Sequence, residues 1–280
     1  MRTELPPEPG RLERVALNAA RAAGRVHLQR LNRIKVVRKS NAIDLVTEAD
    51  HESERAVIRT LGRAFPGHAI LAEESGANAR QSEHRWIIDP LDGTTNFAHG
   101  FPQFCVSIAY ERRGRVELAV VLDTLKRELF VAARGRGARL NAKPIRVSAT
   151  PSLDGALLAT GFAYDRRERR NFYLTFWEAF MMRTQGVRRT GSAALDLCYV
   201  ACGRVDAFWE FGLRPWDVAA GALIVAEAGG RATNLDGSTL NLEARNILAS
   251  NGKLHRAMRE TIAKAWPEAE RRQAEGRAAP

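Results

Sequence analysis

Asp89 and Asp92 are the residues of this chain best placed by type and spacing to do chemistry. They stand in the string WIIDPLDGTTNFAHGFP, residues 86–102. Trp86, Ile87 and Ile88 read as a buried strand that carries Asp89 to its exposed end. Pro90 fixes its own φ and keeps Asp89 out of the helical region. Asp92 follows on a tight turn at Gly93, and a helix begins with Thr94 or Thr95 as its cap. Two carboxylates on one rigid corner offer the oxygen ligands that a hard cation such as Mg²⁺ takes. Free backbone N–H groups after Gly93 suit a phosphate. Metal and phosphate sites on one turn point to phosphoryl chemistry. Asp, Pro and Gly are also the commonest turn residues, so a bare DPxDG would read as an ordinary turn.

Other acids have both an ordinary and a chemical reading. Glu73, in AEES (72–75), follows a short strand and on its own reads as a surface charge. Asp217, in PWDVAAGALIVAEAGG (215–230), opens a helix, where the helix dipole favours an acid. Glu210 ends DAFWE (206–210), on its own an exposed strand end. Asp50 closes DLVTEAD (44–50). None of the six histidines has a metal-ligand spacing such as HExxH, and none is assigned chemistry; His99 alone lies in the loop after the Asp89–Asp92 turn.

Taken in order with GSAALDLCYVACGRVDAFWE (191–210), these segments resemble the inositol monophosphatase family of Mg²⁺-dependent phosphatases over residues 10–265. The resemblance implies that Glu73, Asp89, the Leu91 carbonyl, Asp92 and Asp217 hold two or three Mg²⁺. The cations would offset the repulsion of clustered carboxylates and supply Lewis acidity. It implies that Glu73 and Thr94 activate the attacking water, with Asp50 supporting the metal shell, Asp44 holding its loop and Lys39 near phosphate. Gly93 and Thr94 N–H groups would hold the phosphate. Asp92, Ala193, Glu210 and Asp217 would contact the substrate. The implied reaction is hydrolysis of inositol monophosphate, inhibited by lithium, in a homodimer. Sister phosphatases for histidinol phosphate, fructose bisphosphate, a phosphoadenosine nucleotide or NADP share the metal motifs. Ala72 for Gly, Arg139 where an aromatic is common, and Ala142 for Gly depart from the pattern.

Composition sets the outer limits. The chain has 280 residues, 45% of them hydrophobic, enough for one large domain or two subdomains with ample core. No apolar run approaches the ~20 residues of a membrane span. The opening MRTELPPEPGRLER lacks the apolar stretch of a signal peptide, so a cytoplasmic protein is expected. Three cysteines fit a reduced compartment, and Cys198 and Cys202 read as buried small residues on one helix. Net charge is +11, from 43 Lys+Arg against 32 Asp+Glu. Such an excess attracts polyanions, and a role in binding RNA or transcription machinery is the reading from another class. The arginines are scattered and no aromatic-interleaved motif accompanies them, so a solvated basic surface is expected.

The elements that must position the site follow from periodicity. Helices are expected over 11–31, from Thr47 to Phe65, and over 168–183, 192–203, 216–228 and 253–266. Thr47 serves as N-cap with Asp50 at the capping-box position. Strands are expected at 69–72, 104–110, 116–122, 128–133, 156–160, 206–210 and 246–250, with a Gly-rich hairpin over 135–148. Residues 1–150 form an α+β half carrying most metal ligands, and 151–266 an α/β half carrying the substrate residues and Asp217. Residues 1–9 and the tail 267–280 are expected to be disordered. The resemblance implies a layered αβαβα sandwich with the site between the halves.

Overall fold

The computed structural model describes residues 9–31, 36–38, 45–78 and 80–278. Lys39 and Asp44, given roles above, lie outside the described residues, as do residues 1–8. The chain opens with α1 (Pro9–Arg30), β1 (Val36–Arg38), β2 (Leu45–Thr47) and α2 (Glu48–Ala64). There follow β3 (Ala69–Ala72), β4 (Gly76–Ala77), β5 (His84–Asp92) and the short α3 (Thr94–Ala98). An antiparallel run comes next: β6 (Cys105–Arg112), β7 (Arg115–Asp123), β8 (Glu128–Ala133), β9 (Ala138–Leu140) and β10 (Lys143–Pro144). The remainder is β11 (Leu157–Thr160), α4 (Arg170–Met181), β12 (Gly186–Arg188), α5 (Ala193–Ala201), β13 (Ala207–Phe211), α6 (Pro215–Glu227), β14 (Arg231–Thr233), β15 (Asn246–Ser250) and α7 (His255–Ala278).

Two mixed sheets result among the described residues. The larger has the order β10-β9-β8-β7-β6-β5-β3-β4, with β3 and β5 its parallel pair. The smaller has the order β12-β11-β13-β15-β14, parallel from β12 to β13 and antiparallel beyond. Strand alternation assigns the layers. Trp86, Ile88, Val106 and Ile108 pack against Ala16, Ala20, Val57 and Leu61 of α1 and α2. Ile87, Ala109 and Val121 face the opposite way and share a core with α5, α6, and Phe208 and Ile247 of the smaller sheet. Leu158, Trp209 and Leu248 face outward again, onto Phe172, Phe176, Met258 and Ile262 of α4 and α7. The layers are therefore helix, sheet, helix, sheet, helix, as expected.

Three local expectations are corrected. Asp89 does not stand at an exposed strand end. β5 runs on to Asp92, and Asp89 is 2% exposed. Pairing with β6 is interrupted between Asp89 and Asp92, so Pro90 removes no ladder hydrogen bond there. The cap of α3 is Gly93, at φ 95°, not Thr94 or Thr95. A Cβ at Gly93 would lie 2.8 Å from the Gln103 carbonyl, so glycine is required on both counts. The tail is not disordered up to Ala278: α7 continues through Pro267. Glu268–Arg272 and Arg271–Glu275 pairs at i,i+4 support it, Arg272 also reaches Glu178 of α4, and Ala269 is fully buried.

Candidate active site

The corner around Asp89 is held from beneath. The Leu91 N–H donates to Asp89 Oδ1 at 3.0 Å, closing an Asx-type turn. His27 of α1 is fully buried; its Nε2–H donates to the Pro90 carbonyl at 2.9 Å. Nδ1 must then accept from the Thr124 hydroxyl, 3.1 Å away. Burial pushes the His27 imidazole down to about 4, so it is neutral, as this bonding needs. Sequence reasoning gave His27 no role. Nothing local in the sequence revealed a partner so distant in the chain.

Thr94 is buried and its hydroxyl lies 2.9 Å from Asp50 Oδ1 and 3.1 Å from the Leu91 carbonyl. Asp50 in turn accepts from the Thr47 N–H at 2.7 Å and the Thr47 hydroxyl at 2.6 Å, completing the capping box of α2. Burial pushes Asp50 up to about 6 against these hydrogen bonds. The capping box therefore fixes the acid that receives Thr94. The turn carrying Glu73 is fixed from α2 as well, through the Glu74 N–H to Glu54 Oε2 at 2.8 Å.

Asp92 ties the end of β5 to the start of α5. Its Oδ2 accepts from the Ser192 hydroxyl at 2.6 Å and the Ala194 N–H at 2.8 Å, at the start of α5. Ser192 is also the N-cap of that helix, a contact not drawn from the sequence. Asp217 opens α6, where its Oδ2 accepts from the Arg214 N–H at 2.6 Å, and its side chain lines the same pocket as Asp89 and Asp92. That pocket, about 780 Å³, is also lined by Glu73, Leu91, Gly93, Thr94, Ala193 and Glu210. Glu210 packs over Gly161, where a Cβ would sit 2.1 Å from its carboxylate. Burial pushes Glu210 up to about 8, against the pull of Arg189.

Burial lifts Asp89 well above the usual carboxylate range, and the charges of Glu73, Asp92 and Asp217 add to it. Asp217 is lifted in the same way, by burial and then by Asp92 and Glu73. The four acids thus repel one another across one pocket.

Residues 9–271 match the inositol monophosphatase family. The chain belongs to that family. An inositol-1-monophosphatase of Synechocystis is 48% identical over 252 residues, covering 89% of this chain and 88% of that protein. A Nus factor SuhB of Pseudomonas aeruginosa is also 48% identical, over 255 residues, covering 89% of this chain and 94% of that protein. The inositol monophosphatase structure from Anabaena superposes with a TM-score of 0.82 at 47% identity, covering 90% of this chain and 94% of that one. More distant family members, both 25% identical, have been solved with Mg²⁺ and phosphate (TM-score 0.80) and, from Staphylococcus, after a LiCl soak (TM-score 0.82).

The donor set of this inositol monophosphatase family member suits Mg²⁺. Glu73, Asp89, Asp92, Asp217 and the Leu91 carbonyl offer oxygen alone, and their mutual repulsion is what a divalent cation relieves. Among the described residues no three acidic, His or Cys side chains already close into a metal cage. Each aspartate instead has one oxygen tied to a backbone N–H. No helix among the described residues is long and apolar enough to cross a membrane.

Proposed function

We propose that this protein hydrolyses inositol monophosphate to inositol and phosphate in a Mg²⁺-dependent reaction. The observation that carries the reading is one pocket lined by four acids from both halves, with Glu210 beside them. When bound at Glu73, Asp89, Leu91, Asp92 and Asp217, two or three Mg²⁺ would supply Lewis acidity toward water and the phosphoryl group. The rest is the chain's own work. Thr94 donates its hydroxyl proton to Asp50, which leaves its lone pairs to accept from the attacking water. Glu73 is the base toward that water. The first N–H groups of α3, at and after Thr94, have no helical partner and suit phosphate oxygens. Glu210, pushed up to about 8 by burial, offers its carboxyl oxygens to ring hydroxyls. Ala193 contributes wall, since the α5 start beside it is turned to Asp92. The exposed Leu174 and Met181 of α4 and Met182 at its C-terminal cap suit a homodimer.

Polar recognition discriminates because a wrong partner leaves buried groups unpaired. Glu210→Ala is therefore expected to lower kcat/KM for inositol monophosphate by roughly 10-fold or more, about 1.4 kcal/mol. The loss on a small phosphate ester without ring hydroxyls is expected to be clearly smaller. Phosphate-release assays on both substrates check this. Equal losses would remove Glu210 as a specificity residue and reopen histidinol phosphate, fructose bisphosphate, phosphoadenosine nucleotide and NADP as substrates.

A second role is favoured by the Nus factor relative and by the +11 charge: contact with RNA or transcription machinery. The intact acid cluster argues for an added role, not a replacement. Any RNA affinity resting on this scattered charge is expected to be weak, nonspecific and steeply salt-dependent, because phosphate contacts release counterions. Filter binding across a salt series checks it. Tight binding that persists at high salt would show a dedicated interface.

A further inference from the structure

Pairing between β5 and β6 is interrupted from Asp89 to Asp92, and Pro90 and Leu91 are buried there. Their backbone groups need partners from outside the ladder. The Leu91 N–H turns back to Asp89 Oδ1 at 3.0 Å. The Pro90 carbonyl takes its donor from the helix layer beneath, His27 Nε2 of α1 at 2.9 Å. Both polar groups of the Pro90–Leu91 peptide are thus bound, one toward Asp89 and one toward α1. Pro90 also has a fixed φ, so the plane between Asp89 and the Leu91 carbonyl has little freedom to turn.

His27 is itself held from a third place. A carbonyl only accepts, so Nε2 carries the hydrogen and Nδ1 accepts from the Thr124 hydroxyl at 3.1 Å, in the turn after β7. Gly24 lies one turn earlier on the same face of α1. A Cβ there would meet Thr124 Oγ1 at 3.1 Å and Leu122 at 3.2 Å, so a side chain would crowd that turn. Glycine inside a helix is costly relative to alanine, and α1 bears the cost where it approaches Thr124. The imidazole also packs on Phe97 of α3 and on Phe104, with ring centroids 6.1 and 5.8 Å away. One fully buried side chain therefore joins α1, the turn after β7, α3 and the acid corner.

Groups that hold metal ligands from behind set how well those ligands are aimed. We propose that His27, fixed by Thr124, is a positioning residue for the cation site. It holds the Pro90–Leu91 peptide so that the Asp89 carboxylate and the Leu91 carbonyl are in place before a divalent cation arrives. Its hydrogen bonds go to Pro90 and Thr124, so it acts through Pro90. Cation affinity then depends on a hydrogen bond made from the helix layer as well as on the acids. The inference rests on the Mg²⁺ reading of the acid cluster, and adds what keeps that cluster in shape.

Calorimetric titration of the full chain with Mg²⁺ tests this. His27→Leu keeps an apolar filling against Phe97 and Phe104 and leaves the Pro90 carbonyl without its donor. Mg²⁺ binding is expected to be at least ~10-fold weaker in that variant, the scale on which residues behind metal ligands act. His27→Gln can still donate to Pro90 and is expected to recover most of the affinity. Thr124→Val leaves Nδ1 without its donor and is expected to weaken Mg²⁺ binding in the same direction, by less than His27→Leu. In phosphate release, the Mg²⁺ concentration giving half the maximal rate is expected to rise more than kcat falls, because saturating cation restores the corner. A merely structural role would lower Tm and leave the Mg²⁺ affinity of the folded protein unchanged. Wild-type affinity in His27→Leu, or a His27→Gln protein as weak as His27→Leu, would overturn the positioning role. If His27→Leu does not fold, wild-type affinity in Thr124→Val would overturn it. A wild type that binds no Mg²⁺ would sink the Mg²⁺ reading and the positioning role together. Mg²⁺ binding without hydrolysis would sink the phosphatase reading alone, leaving the titrations to judge His27.

Discussion

Stripping divalent cations is expected to abolish phosphate release, and returning Mg²⁺ to restore it. Glu73, Asp89, Asp92 and Asp217 line one pocket, and burial with mutual repulsion lifts Asp89 and Asp217 well above the usual carboxylate range. An anionic phosphate cannot approach four such acids unless a cation intervenes. Two readouts besides activity bear on this. Calorimetry should detect Mg²⁺ binding, and Mg²⁺ should raise Tm, because a ligand present at 100 times its Kd stabilises by about 2.7 kcal/mol. Lithium should inhibit in competition with Mg²⁺, since it fills a hard oxygen site with half the charge. Full hydrolysis in a metal-free preparation would sink the mechanism, whatever the Tm does.

Much of this site was legible because its motifs are local. Thr47 and Asp50 are close in sequence, and the capping box they form is visible in the string before it is visible in space. Alternation of Trp86, Ile87 and Ile88 between two cores follows from strand geometry alone. What was not legible is carried by long-range hydrogen bonds. His27 reaches Pro90, and Ser192 reaches Asp92, across stretches of chain that no periodicity links. The three-residue strands β12 and β14 are too short to show a period, and sheet neighbours decide them. The tail was misread because its charges resemble a solvated segment. In the fold they pair at i,i+4 and with α4, while Ala269 is buried beneath. Asp89 was misplaced for a related reason: Pro90 signals the end of a strand unless the partner strand happens to be irregular at that point.

Asp217→Asn is expected to lower kcat by about 100-fold or more, close to 3 kcal/mol of transition-state stabilisation. The structure makes this substitution unusually informative, because Asp217 serves two purposes that Asn separates. As a helix-start residue it accepts from the Arg214 N–H through Oδ2. Asn keeps an acceptor there, so the loss at the helix should be limited to a dipole contribution of ~0.3–1 kcal/mol. As a member of the acid cluster it contributes charge, and burial with repulsion from Asp92 and Glu73 makes that charge unfavourable while no cation is bound. Removing it offsets the dipole loss, so Tm of the metal-free protein should stay level or rise. The gain in Tm on adding Mg²⁺ should shrink. Asp217→Ala removes the acceptor too, and should lose the helix-start bond as well as the charge. A Tm that falls in Asn as far as in Ala, with kcat as in the wild type, would reduce Asp217 to a helix-start acid. A collapsed kcat with an unchanged metal-free Tm would assign its charge to the reaction.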